Sequence, residues 1–231
     1  MKTLFPALFL SLFTVISNTA QVLLKISNDS IIGYSYDGGE EFNSPVLDEK
    51  VWFNGLPWGR VLMTQDVAFS KKNVLLKDGL INFVTLKEDS NYVLAPTEID
   101  SAYLKKTKTK LVDNKFLAKY SVGCIMSRQK YHYGIYELRF QVDKGKGVWP
   151  AFWFYGGNKN EEIDCFELKN ERNNEIHVDT HCPTGCDKGY KNKLGLNTNW
   201  GGWMPVTNFL QDGFNIMYLE WKKEEVVWYI N

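Results

Sequence analysis

The stretch Glu161–Glu167, with the sequence EEIDCFE, decides both the predicted fold and the predicted function of this chain. Apart from its acids the stretch is apolar, as in a buried strand, so Glu162 and Asp164, two positions apart, share one face. Glu167 follows Asp164 by three positions and would point the other way in a regular strand. One extra residue, a β-bulge at positions 165–166, returns Glu167 to the face of the other two acids. We therefore predict a bulged strand with three carboxyl groups on one face.

Three carboxyl groups on one face have a chemical use. In retaining glycoside hydrolysis an ionised carboxylate attacks the anomeric carbon, and a protonated one gives its proton to the leaving oxygen. Glu162 and Glu167 would lie about 13 Å apart at Cα, and on a curved strand their side chains could bring the carboxyls to about 5–5.5 Å. Asp164 between them would raise the proton affinity of its neighbours. In this arrangement Ile163 faces the core and Glu161 points away; a solvated acidic strand is the alternative.

The preceding segment, 148–156 (VWPAFWFYG), is predicted to be an antiparallel neighbour of the acidic strand. Trp149, Ala151 and Trp153 alternate along it and therefore share a face. On the acidic side, two indoles would flank the carboxyls as platforms for sugar rings, and Ala151 would leave room for a ring. Packing of these tryptophans in the core is the alternative.

The following segment, 175–182 (EIHVDTHC), places His177, Asp179 and His181 on one face of another strand. A histidine beside a catalytic acid can bind a sugar hydroxyl or tune the pKa of that acid. An ordinary surface or core histidine is the alternative for each of the two.

Strand patterns dominate the rest of the chain. Segment 73–88 has two apolar runs around Asp78-Gly79, typical of a hairpin, and 133–142 alternates apolar and polar residues. Segment 214–231 predicts two more strands joined at 222–225. No window of helical length shows a clean period of 3.6 residues. The pattern predicts an all-β fold, a sandwich or jelly roll.

Charge and the N-terminus restrict partners and location. Twenty-seven basic and 27 acidic residues give zero net charge, which offers no electrostatic reason for a nucleic-acid or membrane partner. Lys2, an apolar run over 4–16 and small Ala20 are typical of a secretory signal peptide. The run is short for a bilayer span, so an anchor is the less favoured alternative. We predict export, with residues 1–20 as the signal peptide and 21–231 as the folded domain.

The four cysteines of the chain are only partly consistent with an exported protein. Cys182 and Cys186 bracket Pro183-Thr184-Gly185, a turn that could bring them into disulfide range. Zinc is the rival interpretation because two histidines precede them, but the paired CxxC spacing of structural zinc sites is missing. Cys124 and Cys165 lie in apolar strands and are expected to be small buried side chains.

The segment YGIYELRFQVDKGKGVWPAFWFYGG followed by EEIDCFE resembles the core of family 16 glycoside hydrolases, which include laminarinases, lichenases, agarases and carrageenases. The bulge-containing family pattern Glu-[Ile/Leu]-Asp-x-x-Glu is matched by Glu162, Ile163, Asp164 and Glu167. A more diffuse likeness covers about residues 40–230. The resemblance implies a concanavalin-like β-jelly roll of two stacked antiparallel sheets, with a carbohydrate cleft across the concave sheet.

The resemblance also implies roles. Glu162 would be the nucleophile, Glu167 the general acid/base and Asp164 the assisting carboxylate. One of the two histidines would sit near the acid/base. The predicted substrate-binding residues are Trp149, Trp153, His177 and His181.

We therefore expect a monomeric, retaining endo-glycosidase that hydrolyses a β-linked polysaccharide. It would be secreted, or located in the periplasm or at the cell surface. A laminarin-like β-1,3-glucan is the first substrate expected. The alternatives are an agar- or carrageenan-type galactan hydrolase and a non-catalytic carbohydrate-binding jelly roll. We expect no cofactor and no metal in the site, although a structural calcium ion is left open. We also expect no nucleic-acid partner, and no membrane partner once the signal peptide is removed.

Two departures from the family pattern bear on these expectations. Cys124 stands where many laminarinase-like members have arginine, which weakens the inference of a β-1,3-glucan. Family domains also usually continue beyond the strand that ends this sequence, so we expect the domain to be incomplete at its C-terminus.

Overall fold

The computed structural model of the protein describes residues 26–27, 30–31, 33–108, 110–156, 161–191, 197–207 and 210–230, without the side chains of 26–31 and 184–200. The predicted signal peptide, residues 1–20, lies outside the described residues. No helix within the described ranges is long and apolar enough to cross a membrane.

The described residues form two compact units, Asp37–Tyr131 and the combination of Met1–Tyr36 with His132–Asn231. Strands predominate in both, as the sequence predicts. The strands are β1 (Ile26–Ser27), β2 (Ser30–Ile31), β3 (Trp52–Asn54), β4 (Val61–Leu62), β5 (Val67–Phe69), β6 (Val74–Lys77), β7 (Leu80–Phe83), β8 (Thr85–Val93), β9 (Lys115–Val122), β10 (Ile125–Ser127), β11 (Gly134–Phe140), β12 (Ala151–Gly156), β13 (Glu161–Glu167), β14 (Glu175–Lys191), β15 (Asn197–Pro205), β16 (Asn215–Trp221) and β17 (Val226–Ile230). The helices are α1 (Ser101–Thr107) and the 3-10 turns Met63–Gln65, Lys71–Asn73 and Pro96–Glu98.

The unit Asp37–Tyr131 contains a four-stranded sheet in the order β4-β5-β9-β8, the hairpin β6-β7 and the pair β3-β10. The hairpin confirms the Asp-Gly prediction, because Asp78 and Gly79 both have positive φ, at 55° and 70°, as a tight two-residue turn requires. Its second arm is shorter than predicted and ends at Phe83, and β8 pairs with β9 in another sheet. The buried side-chain amide of Asn73 explains why the chain leaves the hairpin after Phe83, since it donates to the carbonyl oxygens of Val84 and Ser121.

Helix α1 is an element that the sequence patterns did not predict. Its seven residues are too few to display a 3.6-residue period. The capping chemistry is nevertheless readable: the Asp100 carboxylate accepts from the backbone N–H of Tyr103 at 2.8 Å, and Lys105 and Lys106 fill the last turn. Lys108, with φ at 56°, ends the helix.

The second unit is an antiparallel sandwich. One sheet has the order β11-β16-β17 and the other β12-β13-β14-β15. Between them lies a continuous apolar core, in which each fully buried large side chain contributes about 1.5–3 kcal/mol. The buried core residues are Phe140, Val142, Cys165, Phe166, Leu168, Ile176, Val178, Leu210, Met217, Leu219, Trp228 and Ile230.

A hydrogen bond joins the two sheets of this sandwich directly behind the acidic strand. The buried indole N–H of Trp228, on β17, donates to the backbone oxygen of Asp164, on β13, at 2.9 Å. The polar group that Trp228 brings into the core is therefore satisfied, and the backbone of the acidic strand is fixed where it bulges.

Candidate active site

The pairing of β13 with both neighbours contains the predicted bulge. On β12, Phe152 pairs with Phe166 while the adjacent Trp153 pairs with Asp164, so Cys165 has no partner. On β14 the register shifts between the same positions, Asp164 and Glu167. Two successive side chains, at 165 and 166, therefore enter the core, and the alternation restarts at Glu167.

The bulge brings the three predicted acids to one face. Their cross-strand partners define three rows on that face. The rows are Ala151–Glu167–His177–Trp203, Trp153–Asp164–Asp179–Gly201 and Tyr155–Glu162–His181. Ile163 packs against the apolar core and Glu161 is exposed, as predicted. All seven predicted site residues lie in these rows or, in the case of Trp149, beside them.

Asp164 lies at the centre of the face and is almost fully buried, at 2% exposure. Loss of water raises the pKa of its carboxyl to about 8, and the neighbouring charge of Glu162 adds to the effect. At neutral pH Asp164 therefore carries the proton that it shares in a hydrogen bond with Glu162. A carboxylic acid held neutral in this way can donate to its neighbour.

Glu162 is half-buried beside Asp164. Burial raises its pKa, whereas His181 and the hydrogen bond from Asp164 act in the opposite direction. The proton on Asp164 thus favours the ionised form of Glu162, which is the form that a nucleophile needs.

Glu167 has one donor near each carboxylate oxygen. The indole N–H of Trp149 donates to Oε1 at 3.0 Å, and Nδ1 of His177 lies 3.2 Å from Oε2, although not in line for a regular hydrogen bond. These contacts, led by His177, hold the pKa of Glu167 below its usual value against the opposing effect of burial. One histidine therefore lies beside the predicted acid/base, as expected, and it is His177.

His181 stands at the other end of the face. Its Nε2 lies 3.2 Å from Asp164 Oδ2 and 3.7 Å from Asp179 Oδ2. Ligand atoms of Glu162, Asp164 and His181 all lie within 4.8 Å of one another, close enough to surround a metal ion. Two of the three, Glu162 and Asp164, are already joined by a hydrogen bond.

The two predicted tryptophans differ in position. Trp153 lies on β12 opposite Asp164, as predicted, with its ring 5.6 Å from that of Tyr155. Trp149 precedes β12, which begins at Ala151 and not at 148 as predicted, and its ring is 51% exposed. Proline at position 150 lacks the N–H that a ladder needs, which accounts for the late start of the strand.

Trp203 and Tyr155 are site residues that the sequence interpretation missed. Tyr155 was detectable, because it continues the alternation of Trp153 on the same strand. Trp203 follows two glycines in a segment without clear alternation, and only the pairing of β15 with β14 places it opposite His177.

Cys182 is disulfide-bonded, whereas Cys124 and Cys165 are free; Cys165 is fully buried as expected, but Cys124 is only partly buried. The side chain of Cys186, the predicted partner, lies outside the described residues. A sulfur engaged in a disulfide is not a thiolate ligand, so the rival zinc interpretation fails at Cys182.

The second unit is thus an antiparallel sandwich of the jelly-roll type, with carboxyl groups and aromatic rings gathered on one sheet. The model of the glycosyl hydrolases family 16 matches residues 67–231, and the chain belongs to that family.

Curated relatives include glucan endo-1,3-beta-glucosidase A1 of Niallia circulans, 22% identical over 227 residues, and a beta-glucanase of Rhodothermus marinus, 30% identical over 124 residues. The alignments cover 89% and 49% of this chain but only 29% and 41% of those proteins. The chain therefore spans less than half the length of either relative.

Solved structures confirm the jelly-roll fold. The catalytic domain of an endo-1,3-beta-glucanase (laminarinase) from Thermotoga petrophila superposes with a TM-score of 0.59 at 20% identity, covering 83% of this chain and 71% of that one. A structure from work on endo-acting O-glycanases of the human gut microbiota, which initiate mucin breakdown, gives 0.61 at 24% identity, covering 86% and 72%.

Proposed function

We propose that this chain is the catalytic domain of a retaining endo-glycosidase that hydrolyses a β-linked polysaccharide, with β-1,3-glucan as the first substrate. The observation that carries the proposal is the register shift in β13, which puts Glu162, Asp164 and Glu167 on one face. A non-catalytic sugar-binding surface has no use for a buried, protonated Asp164 next to a glutamate. The glucanase names among the relatives support the choice of substrate.

The first chemical step assigns a role to each acid. Glu162, whose carboxylate accepts the hydrogen bond from Asp164, attacks the anomeric carbon as the bond to the leaving oxygen breaks. Glu167 gives its proton to that oxygen. In the second step Glu167 takes a proton from water, the water oxygen attacks the anomeric carbon, and the Glu162 carboxylate is released.

Glu167 must hold a proton in the first step, yet its surroundings in the unliganded site favour the ionised form. A bound sugar changes this balance in two ways. It removes water from a side chain that is still 27% exposed, and the glycosidic oxygen offers Glu167 an acceptor for its proton. Both effects raise the pKa of Glu167 when it is needed as an acid.

Replacing Glu162 with Gln tests the function. We expect hydrolysis of laminarin to fall by about three orders of magnitude or more, because the attacking carboxylate is lost. Glu161→Gln is the matched control, since Glu161 is the adjacent acid and is exposed on the other face. Lichenan, agar and carrageenan complete the substrate panel, and NMR of the first product reads its anomeric configuration. Undiminished hydrolysis by Glu162→Gln, or an inverted product, would overturn the proposal.

We also propose that the protein is exported by its N-terminal segment, on the evidence of Lys2, the apolar run and Ala20. Expression of the chain in a bacterial host should yield a periplasmic or secreted form that begins at Gln21 by mass spectrometry. A cytoplasmic product that retains residues 1–20 would contradict this.

A further inference from the structure

Trp203 contacts both residues that lie beside Glu167. It lies on β15, directly opposite His177 on β14. Its ring centroid is 5.2 Å from that of His177 at an interplanar angle of 59°. The same ring lies 6.3 Å from Trp149, edge to face at 69°. Trp203 therefore bridges two residues that belong to different segments of the chain.

Those two residues lie against the two carboxylate oxygens of Glu167. Trp149 donates its indole N–H to Oε1, and His177 brings Nδ1 to 3.2 Å from Oε2. Trp149 precedes β12 and has no ladder of its own to fix its ring. An edge-to-face contact between indoles contributes about 0.5–1.5 kcal/mol beyond the area it buries, which is enough to favour one ring orientation.

Trp203 is itself fixed by a charged contact. The guanidinium carbon of Arg172 lies 4.7 Å from the Trp203 ring centroid, and Arg172 pairs with Glu175 at 3.1 Å. A stacked arginine that also binds a carboxylate loses much of its freedom, so it restrains the indole below it. Arg172, Trp203 and the pair Trp149–His177 form one continuous chain of contacts that ends on Glu167.

We propose that Trp203 is a positioning residue for Glu167, acting through Trp149 and His177 to keep the indole N–H of Trp149 on one oxygen of the carboxylate and Nδ1 of His177 beside the other. The inference rests on the proposed function, in which Glu167 is the acid/base. It also gives Trp149 a role besides sugar stacking, because its N–H holds the carboxylate while half of its surface remains exposed.

The consequence for the reaction is a division between its two steps. The Trp149 N–H on one oxygen and His177 beside the other favour the ionised form of Glu167, which acts as base when water attacks the glycosyl-enzyme. Loosening the donors lets the carboxyl rotate and raises its proton affinity. Loss of Trp203 should therefore impair orientation in both steps and shift the pKa of Glu167 upward.

The experiment is a titration of Glu167 in the free protein, followed by NMR of ¹³C-labelled glutamate carboxyls, in wild type, Trp203→Leu, Trp149→Phe and the double variant. We expect the pKa of Glu167 to rise in both single variants. The rise in the double variant should be smaller than the sum of the two, because Trp203 acts through Trp149. Trp203→Phe, which keeps an aromatic ring, should restore part of the wild-type value.

Trp221→Leu is the matched control, since it removes a partly buried indole that packs against the core and not against Glu167. Urea unfolding of each variant identifies any that fail to fold. An unchanged Glu167 pKa in folded Trp203→Leu or, where only Trp203→Phe folds, in that variant, with a raised pKa in Trp149→Phe, would overturn the role of Trp203. Because the titration needs no substrate, this result is separable from a failure of wild type to hydrolyse any polysaccharide.

Discussion

Asp164 combines two properties at the scale of a single residue, deep burial and a proton retained at neutral pH. Its hydrogen bond to Glu162 uses that proton, while its second oxygen lies 3.2 Å from His181. An asparagine has the same pattern of one donor side and one acceptor side. Asp164→Asn therefore preserves the geometry while removing the carboxyl group that burial penalises.

We expect Asp164→Asn to stabilise the protein increasingly as pH rises. The pKa of Asp164 is raised to about 8 in the folded state, so its contribution to stability is fully present below the ordinary aspartate range. That contribution is lost as pH rises towards about 8, and the neutral amide escapes the loss. Urea unfolding at about pH 5 and about pH 8 measures the gap between variant and wild type.

Asp212→Asn is the control for this comparison, because Asp212 is an aspartate whose side chain is 60% exposed. Its effect on the free energy of unfolding should be small at both pH values. A gap for Asp164→Asn that is equal at the two pH values would show that Asp164 does not titrate as described.

The contact between β14 and β15 is the critical feature at the scale of elements, because it carries both His177 and Trp203. Gly201 makes the close approach possible. A Cβ built there would lie 2.0 Å from the backbone oxygen of Val178 and 2.5 Å from Cα of Asp179. Both obstacles are backbone atoms of the neighbouring strand, so no side-chain rotation relieves the clash.

Gly201→Ala should therefore destabilise the protein, by about 1–3 kcal/mol or more, since β15 must move away from β14. Activity should fall as well, because Asp179 and Trp203 shift with the strands. Gly202→Ala is the matched control: its Cβ would meet nothing within 4 Å. Urea unfolding and laminarin hydrolysis measure both variants, and equal behaviour of the two would contradict the close approach.

At this scale the sequence predicted the structure correctly where all the necessary residues lie in a single strand. With their spacing, Glu162, Asp164 and Glu167 share one face only if the strand contains a bulge, and the bulge is present. Trp203 and helix α1 escaped prediction for physical reasons. The position of Trp203 depends on pairing between distant segments, and α1 is too short to show a period.

At the scale of the whole molecule, the chain divides into two compact units, and the family match runs from residue 67 to 231, across both. The acidic face lies entirely within the unit that includes His132–Asn231. Its three acids and their strand partners come from one continuous stretch, 149–203, and the sequence predicted those between 149 and 181, apart from Tyr155. Which polysaccharide binds depends on the whole cleft. The salt dependence of hydrolysis can tell a neutral substrate from a charged one.

The salt dependence of hydrolysis should be weak if the substrate is a neutral β-glucan. The chain has zero net charge, and the cations beside the Glu167 end of the face have acidic neighbours: Arg172 pairs with Glu175, and the charge of Lys169 acts on Glu171. With an uncharged substrate there is no long-range attraction for salt to screen, so kcat/KM on laminarin should change by less than about twofold between about 20 mM and 0.5 M NaCl. Carrageenan, whose sulfate groups interact with such cations, is the comparison substrate. The opposite result is faster turnover of carrageenan than of laminarin, with a KM for carrageenan that rises steeply with salt. It would assign the cleft to sulfated galactans, because only a charged polysaccharide loses attraction when salt screens Arg172 and Lys169.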